Sequence, residues 1–341
     1  NNESFDEKIK KLNPDIVLFD RYVTEEQFGW RVSENCPNAL KIIDTEDLHF
    51  LREARRKAFV EKREVSNEDL VNDVFKREIA SILRCDLSLI ISEFEFQLLK
   101  EKFKINPDIL FYIPFLTEKI EKNKTAFQER QHFVSIGNFL HEPNWQTVLK
   151  LKSIWKSIRK QLPEAELHIY GAYASEKVYQ LHNDKEGFLV KGRADDVESL
   201  FNEYKVLLAP IPFGAGLKGK LWESMQFGLP NVTSSIGSEA MHKNLPWNGF
   251  TEDSDGKFIE KAIELYQNES VWNRANENAY EILNQVFDKQ LYVHQFLKTI
   301  SKIYSNLENH RTENYLGKIL QHHQLNSTEY MSRWIEEKNK K

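Results

Sequence analysis

The stretch KVLLAPIPFGAGLKGKLWESMQFGLP, residues 205–230, places an apolar run, a glycine-rich loop and an amphipathic segment in direct succession. The run at 205–212 is short and bounded by charged and proline residues, which is typical of a strand in a parallel sheet. Gly228 and Pro230 then predict a helix end, because glycine accepts the left-handed conformation and proline cannot continue a helix. This succession predicts an open α/β sheet that binds ligands at the carboxyl ends of its strands.

Two lysines, Lys218 and Lys220, stand where the helix of this stretch begins. Cations are unfavourable at a helix N-terminus, because the N–H groups there form the positive end of the helix dipole. An anionic ligand removes that conflict, so we interpret the two lysines as binding a diphosphate. Gly214 and Gly216 are expected to take positive φ angles and let the backbone approach this ligand. Glu223 shares a helix face with Lys220 and is expected to accept hydrogen bonds from vicinal hydroxyls, such as those of a ribose.

Each of these assignments has a plainer alternative. Lys218 and Lys220 could be solvated surface residues, and Glu223 could form a surface ion pair with Lys220, which would stabilise the protein little. Glu239 is predicted at the start of a following helix, where an acidic residue is favourable with or without a ligand. Asp196 is predicted to cap the helix that follows it.

The composition is that of a globular protein of two domains. The chain has 341 residues, of which 40% are hydrophobic and 29% charged, with a net charge of -5. This charge argues against a protein that coats nucleic acid, and no apolar run approaches the roughly 18 residues that span a membrane. Cys36 and Cys85 lack metal-site spacing and fit a reducing compartment, so we expect a cytoplasmic protein, with peripheral membrane association left open.

Short apolar runs alternate with amphipathic segments, which predicts βαβ units and parallel sheets. Predicted strands fall at 15–20, 39–45, 86–92 and 109–115, and then at 132–138, 166–171, 187–193, 205–212 and 229–235. The polar segment 119–131 is predicted as a linker. We expect an N-terminal domain over 1–118, a C-terminal domain over 132–285, and helices over 286–341 that pack back on the first domain. A partner contact around Trp334 is the alternative for these helices.

Two segments of the second half carry a family resemblance. The run APIPFGAGLKGKLWESMQFGLPNVTSSIGSE (209–239), with SIGNFLHEPNW (135–145) upstream, resembles the donor domain of family 4 retaining glycosyltransferases of the GT-B fold, the glycosyl transferases group 1. It is closest to the subset with a G-x-G-x-[RK]-x-K-x-x-E segment. Residues 14–32 and 41–55 resemble the later half of the family's N-terminal domain. The resemblance therefore implies two Rossmann-like domains facing a cleft.

The resemblance implies transfer of a sugar from a nucleotide-diphosphate sugar to an acceptor, with retained configuration and without a metal or cofactor. The donor is expected on the C-terminal domain and the acceptor, a glycan, a lipid-linked sugar or another molecule, on the N-terminal domain. By this resemblance Lys218 and Lys220 hold the diphosphate and stabilise the leaving group, and Glu223 holds the ribose. The remaining donor-site residues implied are Gly137, Asn138, His141, Gly214, Gly216, Leu217 and Glu239.

Several positions depart from the family pattern. Ala215 stands where the first of two glutamates is usual, so the carboxylate that faces the donor sugar is absent. Asn138 replaces an arginine, and Lys218 is expected to compensate for it. A nucleotide-sugar epimerase of the same fold and a non-catalytic scaffold protein stay open as alternatives. Ala215 and Asn138 favour the scaffold, whereas the retained Lys218, Lys220 and Glu223 count against it.

The N-terminal domain offers weaker candidates. The family's N-terminal histidine falls near Glu46, so Glu46, Asp47 and His49 are the candidate catalytic residues on the acceptor side, and which of them lines the cleft stays open. The chain starts at Asn1 without an initiator Met, and a helix and a strand follow where the family has an opening strand and a glycine-rich loop. We therefore expect an incomplete, N-terminally truncated domain, and whether such a chain is active stays open.

Overall fold

The computed structural model of the chain describes residues 4–121 and 125–339. Its contacts divide it into two compact units. Unit 1 comprises Asn1–Phe115 and Gln290–Lys341, and unit 2 comprises Leu116–Lys289. Unit 2 is therefore a contiguous segment that interrupts the sequence of unit 1.

Unit 1 is built on a parallel sheet. Within the described residues, its strands in spatial order are β1 (Ile16–Asp20), β2 (Leu40–Asp44), β3 (Leu87–Ile90) and β4 (Leu110–Tyr112). The helix α1 (Phe5–Leu12) precedes the first strand. The helices between the strands are α2 (Arg21–Asn35), α3 (His49–Val60), α4 (Asn67–Leu70), α5 (Asp73–Arg84) and α6 (Glu93–Gln97). β2 and β3 are almost entirely buried, as expected of parallel strands covered on both faces.

The chain returns to unit 1 with three further helices, α14 (Val293–Ser305), α15 (Leu307–Glu313) and α16 (Tyr315–Lys338). The guanidinium of Arg311 donates to both carboxylate oxygens of the buried Asp86, at 2.7 and 2.8 Å, and to the carbonyl of Ala39 at 2.7 Å. Asn314 Nδ2 donates to the carbonyl of Leu83 at 2.8 Å. These bonds attach the C-terminal helices to the amino ends of β2 and β3.

Unit 2 contains a second parallel sheet. Among the described residues its strands in spatial order are β10 (Gly249–Thr251), β9 (Asn231–Thr233), β8 (Tyr204–Ala209), β5 (Gln131–Ile136), β6 (Leu167–Tyr170) and β7 (Phe188–Gly192). The helices are α7 (Glu142–Gln161), α8 (Glu176–Tyr179), α9 (Val197–Glu203), α10 (Gly219–Gln226), α11 (Ser235–Ser238), α12 (Asp255–Gln267) and α13 (Glu269–Val286). Phe133, Trp155 and Trp272 are fully buried in its core.

The strands predicted from the sequence are confirmed in both units, although the ends of the strands differ from the predicted ones. Each predicted strand segment overlaps a strand of the structure, and Asp196 caps α9 by accepting from two backbone N–H groups. The strand β10 was missed, because its three residues are only partly buried and form no apolar run. In the predicted linker 119–131, residues 122–124 lie outside the described residues, Phe127–Glu129 forms a 3-10 turn and Gln131 begins β5.

The first and last residues of unit 2 are neighbours. The backbone N–H of Thr117 donates to the carbonyl of Phe287 at 2.8 Å, and the N–H of Lys289 donates to the carbonyl of Thr117 at 2.9 Å. These bonds form a parallel bridge between Thr117 and Asp288. The two chain crossings into and out of this unit are therefore joined to each other, as is common for inserted domains.

Arg130, the residue before β5, is a fully buried cation that caps the C-terminal ends of two helices. Its guanidinium donates to the carbonyls of Phe201 at 2.6 Å, Tyr204 at 3.3 Å and Phe227 at 2.8 Å. Phe201 lies in the last turn of α9 and Phe227 follows α10, where carbonyls lack helical partners and the helix dipole is negative. Burial lowers the pKa of Arg130 to about 10, so the side chain stays charged at neutral pH.

Candidate functional site

The candidate site lies in unit 2 where the strand order reverses. β5 has β6 on one side and β8 on the other, so the connections leave these neighbouring strands in opposite directions. Residues 137–141 join β5 to α7, and residues 210–218 join β8 to α10. Because the carboxyl ends of parallel strands meet at one edge, both loops and both helix N-termini lie together at a topological switch point.

The glycines of the second loop differ from each other. Gly216 has a φ of 62°, as predicted, and only glycine takes this conformation without strain. The same prediction for Gly214 is wrong, because its φ is not positive, and a Cβ there would meet Lys218 Cε at an ordinary 3.5 Å. Only Gly216 is therefore required for the path of the loop.

Lys218 is turned toward its own loop. It is the residue before α10, and only 9% of it is exposed, which excludes the surface alternative. Its Nζ donates to the carbonyls of Gly216 at 2.6 Å and Ala215 at 3.1 Å. The ammonium thus fixes the loop conformation and brings its charge to the N-terminus of α10.

Lys220 lies in the first turn of α10 and joins the two loops. Its Nζ donates to Oδ1 of Asn144 at 2.6 Å, and Nδ2 of Asn144 donates to the carbonyl of Asn138 at 2.8 Å. Burial and the charge of Lys218 lower the pKa of Lys220 to about 8, although Glu223 opposes the shift. An ammonium held in such a place is stabilised when an anion binds beside it.

Glu223 lies one turn after Lys220 and is partly buried. Burial raises the pKa of its carboxyl, while the charge of Lys220 acts in the opposite direction. In residues 4–121 and 125–339, no ion pair within 4.0 Å joins the two side chains, so the surface ion pair is not formed. The carboxylate is therefore left able to accept hydrogen bonds from hydroxyl groups.

The other predicted donor residues surround the two loops. Oδ1 of Asn138 accepts a hydrogen bond at 2.9 Å from the backbone N–H two residues on. His141 is exposed at the start of α7, without a side-chain capping bond, and Leu217 is buried. The prediction that Glu239 starts a helix is wrong: it follows the one-turn helix α11, because the small residues before it form the turn. Its donor-binding role stays a prediction.

Asn144 is the site residue that the sequence analysis missed. An asparagine in the first turn of a helix is ordinary, and nothing in its local sequence indicates a bond to Lys220. Gly137 makes room for this side chain, because a Cβ there would lie 2.6 Å from Cγ of Asn144. The glycine is thus required by a neighbouring side chain, in addition to any ligand.

Two of the three candidates of unit 1, Asp47 and His49, form an internal network, and Glu46 lies outside it. Glu46 is exposed, with a φ of 56°, in the loop between β2 and α3. Nδ1 of His49 lies 3.1 Å from Oε1 of Glu78 and 3.2 Å from Oδ1 of Asp47. The buried Glu78 also accepts the backbone N–H groups of His49 and Phe50 at the start of α3, both at 3.1 Å. Asp47 and His49 therefore help to tie α3 to α5.

This network should make the stability of unit 1 depend on pH. Burial disfavours charged His49, but the hydrogen bond to Glu78 and the charge of Asp47 outweigh it, so the pKa of His49 is raised. A base whose pKa is raised by folding stabilises the fold below its unfolded pKa, about 6.5, and the stabilisation is lost as the pH rises through the folded pKa. We expect His49→Gln to lower the free energy of unfolding by about 1.5 kcal/mol at pH 6 and by less at pH 9.

Urea denaturation of the variant and the wild type at both pH values measures this difference. His294→Gln, at an exposed position of α14, is the matched control and should have no effect at either pH. An equal loss of stability at pH 6 and pH 9 for His49→Gln would contradict the prediction.

Three further properties concern all of the described residues. Across 4–121 and 125–339, no group of three or more His, Cys, Asp or Glu residues is arranged to hold a metal ion. Helices that are long and apolar enough to cross a membrane are absent from the same ranges. Cys36 and Cys85 are free and buried.

Comparison with known proteins finds a family model that matches part of unit 2. Residues 130–268 match the family model described as Glycosyl transferases group 1. The match runs from Arg130 to the end of α12 and so contains both loops and all strands of the described sheet of unit 2. Unit 2 therefore contains a glycosyl transferases group 1 domain. No curated protein matches the chain.

Solved glycosyltransferase structures share the fold of most of the chain. A point mutant of S. aureus TarM, in complex with fondaparinux, alpha-GlcNAc-glycerol and UDP, has 13% identity and a TM-score of 0.66 over 86% of this chain and 57% of its own. The pneumococcal O-GlcNAc transferase GtfA, in complex with UDP and GlcNAc, has 18% identity and a TM-score of 0.68 over 87% of this chain and 59% of its own. Sucrose-phosphate synthase from Thermosynechococcus elongatus has 13% identity and a TM-score of 0.64 over 88% of this chain and 76% of its own.

These comparisons confirm the predicted fold class. The chain has an α/β structure of two parallel, Rossmann-like sheets of the GT-B type. It spans less than three fifths of the length of TarM and GtfA.

Proposed function

We propose that the protein is a family 4 glycosyltransferase. It moves a sugar from a nucleotide-diphosphate sugar to an acceptor with retained configuration, and it needs neither a metal nor a cofactor. The observation that carries this proposal is the position of Lys220, a partly buried cation at the N-terminus of α10 and at the switch point of a glycosyl transferases group 1 domain. Among residues 4–121 and 125–339, no carboxylate forms an ion pair with this ammonium.

The site suits a departing diphosphate. As the bond to the sugar breaks, negative charge develops on the leaving phosphate oxygen, and preorganised donors stabilise it more than they stabilise the intact donor. Lys220 and the positive end of the α10 dipole supply that stabilisation. Lys218 keeps the glycine-rich loop in place, and Glu223 accepts the hydroxyls of a ribose.

Similar structures suggest the donor to test, and the cysteines bear on the cellular location. The TarM and GtfA structures each contain UDP, which makes UDP the first nucleotide to test, and GlcNAc-type hexoses the first sugars. The acceptor side is assigned to unit 1, with Glu46, Asp47 and His49 as its candidate residues. Two free, buried cysteines support a cytoplasmic location.

Calorimetric titration of UDP, GDP and ADP into the protein tests the donor site. We expect one nucleotide to bind, and the double variant Lys218→Ala/Lys220→Ala to lose at least about 100-fold in affinity, because the charge-assisted contact of Lys220 is removed and the loop that Lys218 holds is released. The exposed pair Lys185→Ala/Lys257→Ala removes the same charge elsewhere in unit 2 and should bind as the wild type does. A folded wild type that binds none of the three nucleotides would contradict the proposal.

The same preparation separates transfer from the alternatives. Release of free nucleoside diphosphate from a sugar nucleotide, increased by an acceptor, identifies a transferase. Interconversion of sugar nucleotides without release identifies an epimerase of the same fold. Binding without either reaction identifies a scaffold protein, which is the outcome that the loss of the usual glutamate at Ala215 would explain.

A further inference from the structure

We propose that Asn144 is a positioning residue for the donor diphosphate, holding Lys220 between the two loops through a neutral acceptor. The inference rests on the proposed function, because it concerns the same site. Asn144 lies in the first turn of α7, on the opposite side of the switch point from α10. Its side chain connects Asn138, in the loop after β5, to Lys220, at the start of α10.

The chemistry of the two bonds fixes the orientation of the amide. The ammonium of Lys220 can only donate and the carbonyl of Asn138 can only accept, so Oδ1 must face the lysine and Nδ2 the carbonyl. A flipped amide would lose both bonds. Aspartate can replace only the first of these bonds, and alanine neither. Position 144 therefore requires a group that accepts on one side and donates on the other.

The backbone around Asn144 leaves room for that amide. A Cβ at position 137 would lie 2.6 Å from Cγ of Asn144 and 2.9 Å from both terminal atoms of the amide. Such distances are far below a van der Waals contact, so any side chain at Gly137 displaces the amide. The position of the Asn144 amide therefore depends on a glycine at position 137.

The neutrality of Asn144 matters because of the charges that face Lys220. These are Lys218, which lowers the pKa of Lys220, and Glu223, which opposes that shift. A carboxylate at position 144 would form an ion pair with Lys220 and compete with the diphosphate for it. The amide holds the ammonium in place and leaves its charge available to the ligand.

The test compares Asn144→Asp with Asn144→Ala, using UDP as the probe in titration calorimetry at pH 8 in buffers of different ionisation enthalpy. With a Lys220 pKa of about 8, the wild type should take up about half a proton on binding at pH 8, where UDP itself is fully ionised. Asn144→Asp raises the pKa of Lys220, so proton uptake should fall toward zero and affinity by more than about tenfold. Asn144→Ala should also lose about tenfold in affinity but keep the proton uptake, since no charge is added.

Two further variants control the experiment. Asn273→Asp adds the same charge at an exposed position of α13 and should leave both quantities unchanged. Gly137→Ala displaces the amide, so the double variant Gly137→Ala/Asn144→Ala should bind UDP no more weakly than the weaker single variant. Thermal unfolding of each variant shows that it is folded.

The outcomes separate this inference from the proposed function. If the wild type binds UDP and Asn144→Asp matches it in affinity and proton uptake, the positioning role is overturned and the donor site stands. Additive losses in the double variant would also overturn it. If the folded wild type binds neither UDP nor GDP nor ADP, the proposed function fails, and the inference fails with it.

Discussion

Lys220→Ala is expected to lower the rate of sugar transfer by about 10²- to 10³-fold, the range found when one preorganised donor to a developing negative charge is removed. The ammonium of Lys220 lies 2.6 Å from Asn144 and at the start of α10, where the leaving diphosphate would gain charge. The loss should appear mainly in kcat, because the contact strengthens as the bond to the sugar breaks. Nucleoside diphosphate release from UDP-GlcNAc or another bound donor measures the rate.

The control is Lys257→Ala, which removes an exposed lysine from α12 in the same unit and should not change kcat. Lys220→Arg keeps the charge but presents a planar fork in place of a compact ammonium, so we expect an intermediate rate. A Lys220→Ala variant with a higher KM and an unchanged kcat would show that the lysine contributes only to binding of the intact donor.

Arg130→Met is expected to lower the free energy of unfolding of unit 2 by about 3 kcal/mol. Each hydrogen bond from a charged donor contributes about 1.5–3 kcal/mol, and the substitution leaves the carbonyls of Phe201 and Phe227 buried without this donor at the ends of α9 and α10. Part of that loss is offset, because the cost of burying the charge disappears. Urea denaturation followed by tryptophan fluorescence measures the change, since Trp272 lies 5.4 Å from the guanidinium.

Two substitutions separate this capping role from a simple loss of charge. Arg274→Met removes an exposed arginine from α13 and should change stability by less than about 0.5 kcal/mol. Arg130→Lys keeps a cation but cannot donate to three carbonyls at once. We therefore expect its free energy of unfolding to lie between those of Arg130→Met and the wild type. If Arg130→Met proves as stable as the wild type, hydrophobic packing compensates fully for the lost bonds.

The parallel sheets could be predicted from the sequence because their signals are local. Buried strands are short apolar runs, and the helices between them carry caps and periodic apolar positions, as at Asp196 and Gly228. β10 has no such signal, because it is a three-residue strand at the edge of the sheet. Glu239 was misplaced because α11 is a single turn of small residues, and neither period nor capping distinguishes such a turn from a loop.

The site was predictable only in part, for the same reason. The glycine-rich loop and Lys220 are adjacent in sequence, so their common position at a helix N-terminus could be inferred. The bond to Asn144 joins residues 76 positions apart, and the bond from His49 to Glu78 joins residues 29 apart, which no local pattern encodes. The contacts of Lys218 could not be predicted either. Its charge is visible in the sequence, but the two carbonyls that accept hydrogen bonds from it are not.

The insertion of unit 2 into unit 1 fixes the order in which the two can be completed during synthesis. Every residue of unit 2 has been made once Lys289 is added, and its joined ends need nothing that comes later. Asp86, although made much earlier, receives its partner Arg311 only when the C-terminal helices follow. Because domains fold as units while the chain grows, unit 1 can be completed only after all of unit 2 has been synthesised.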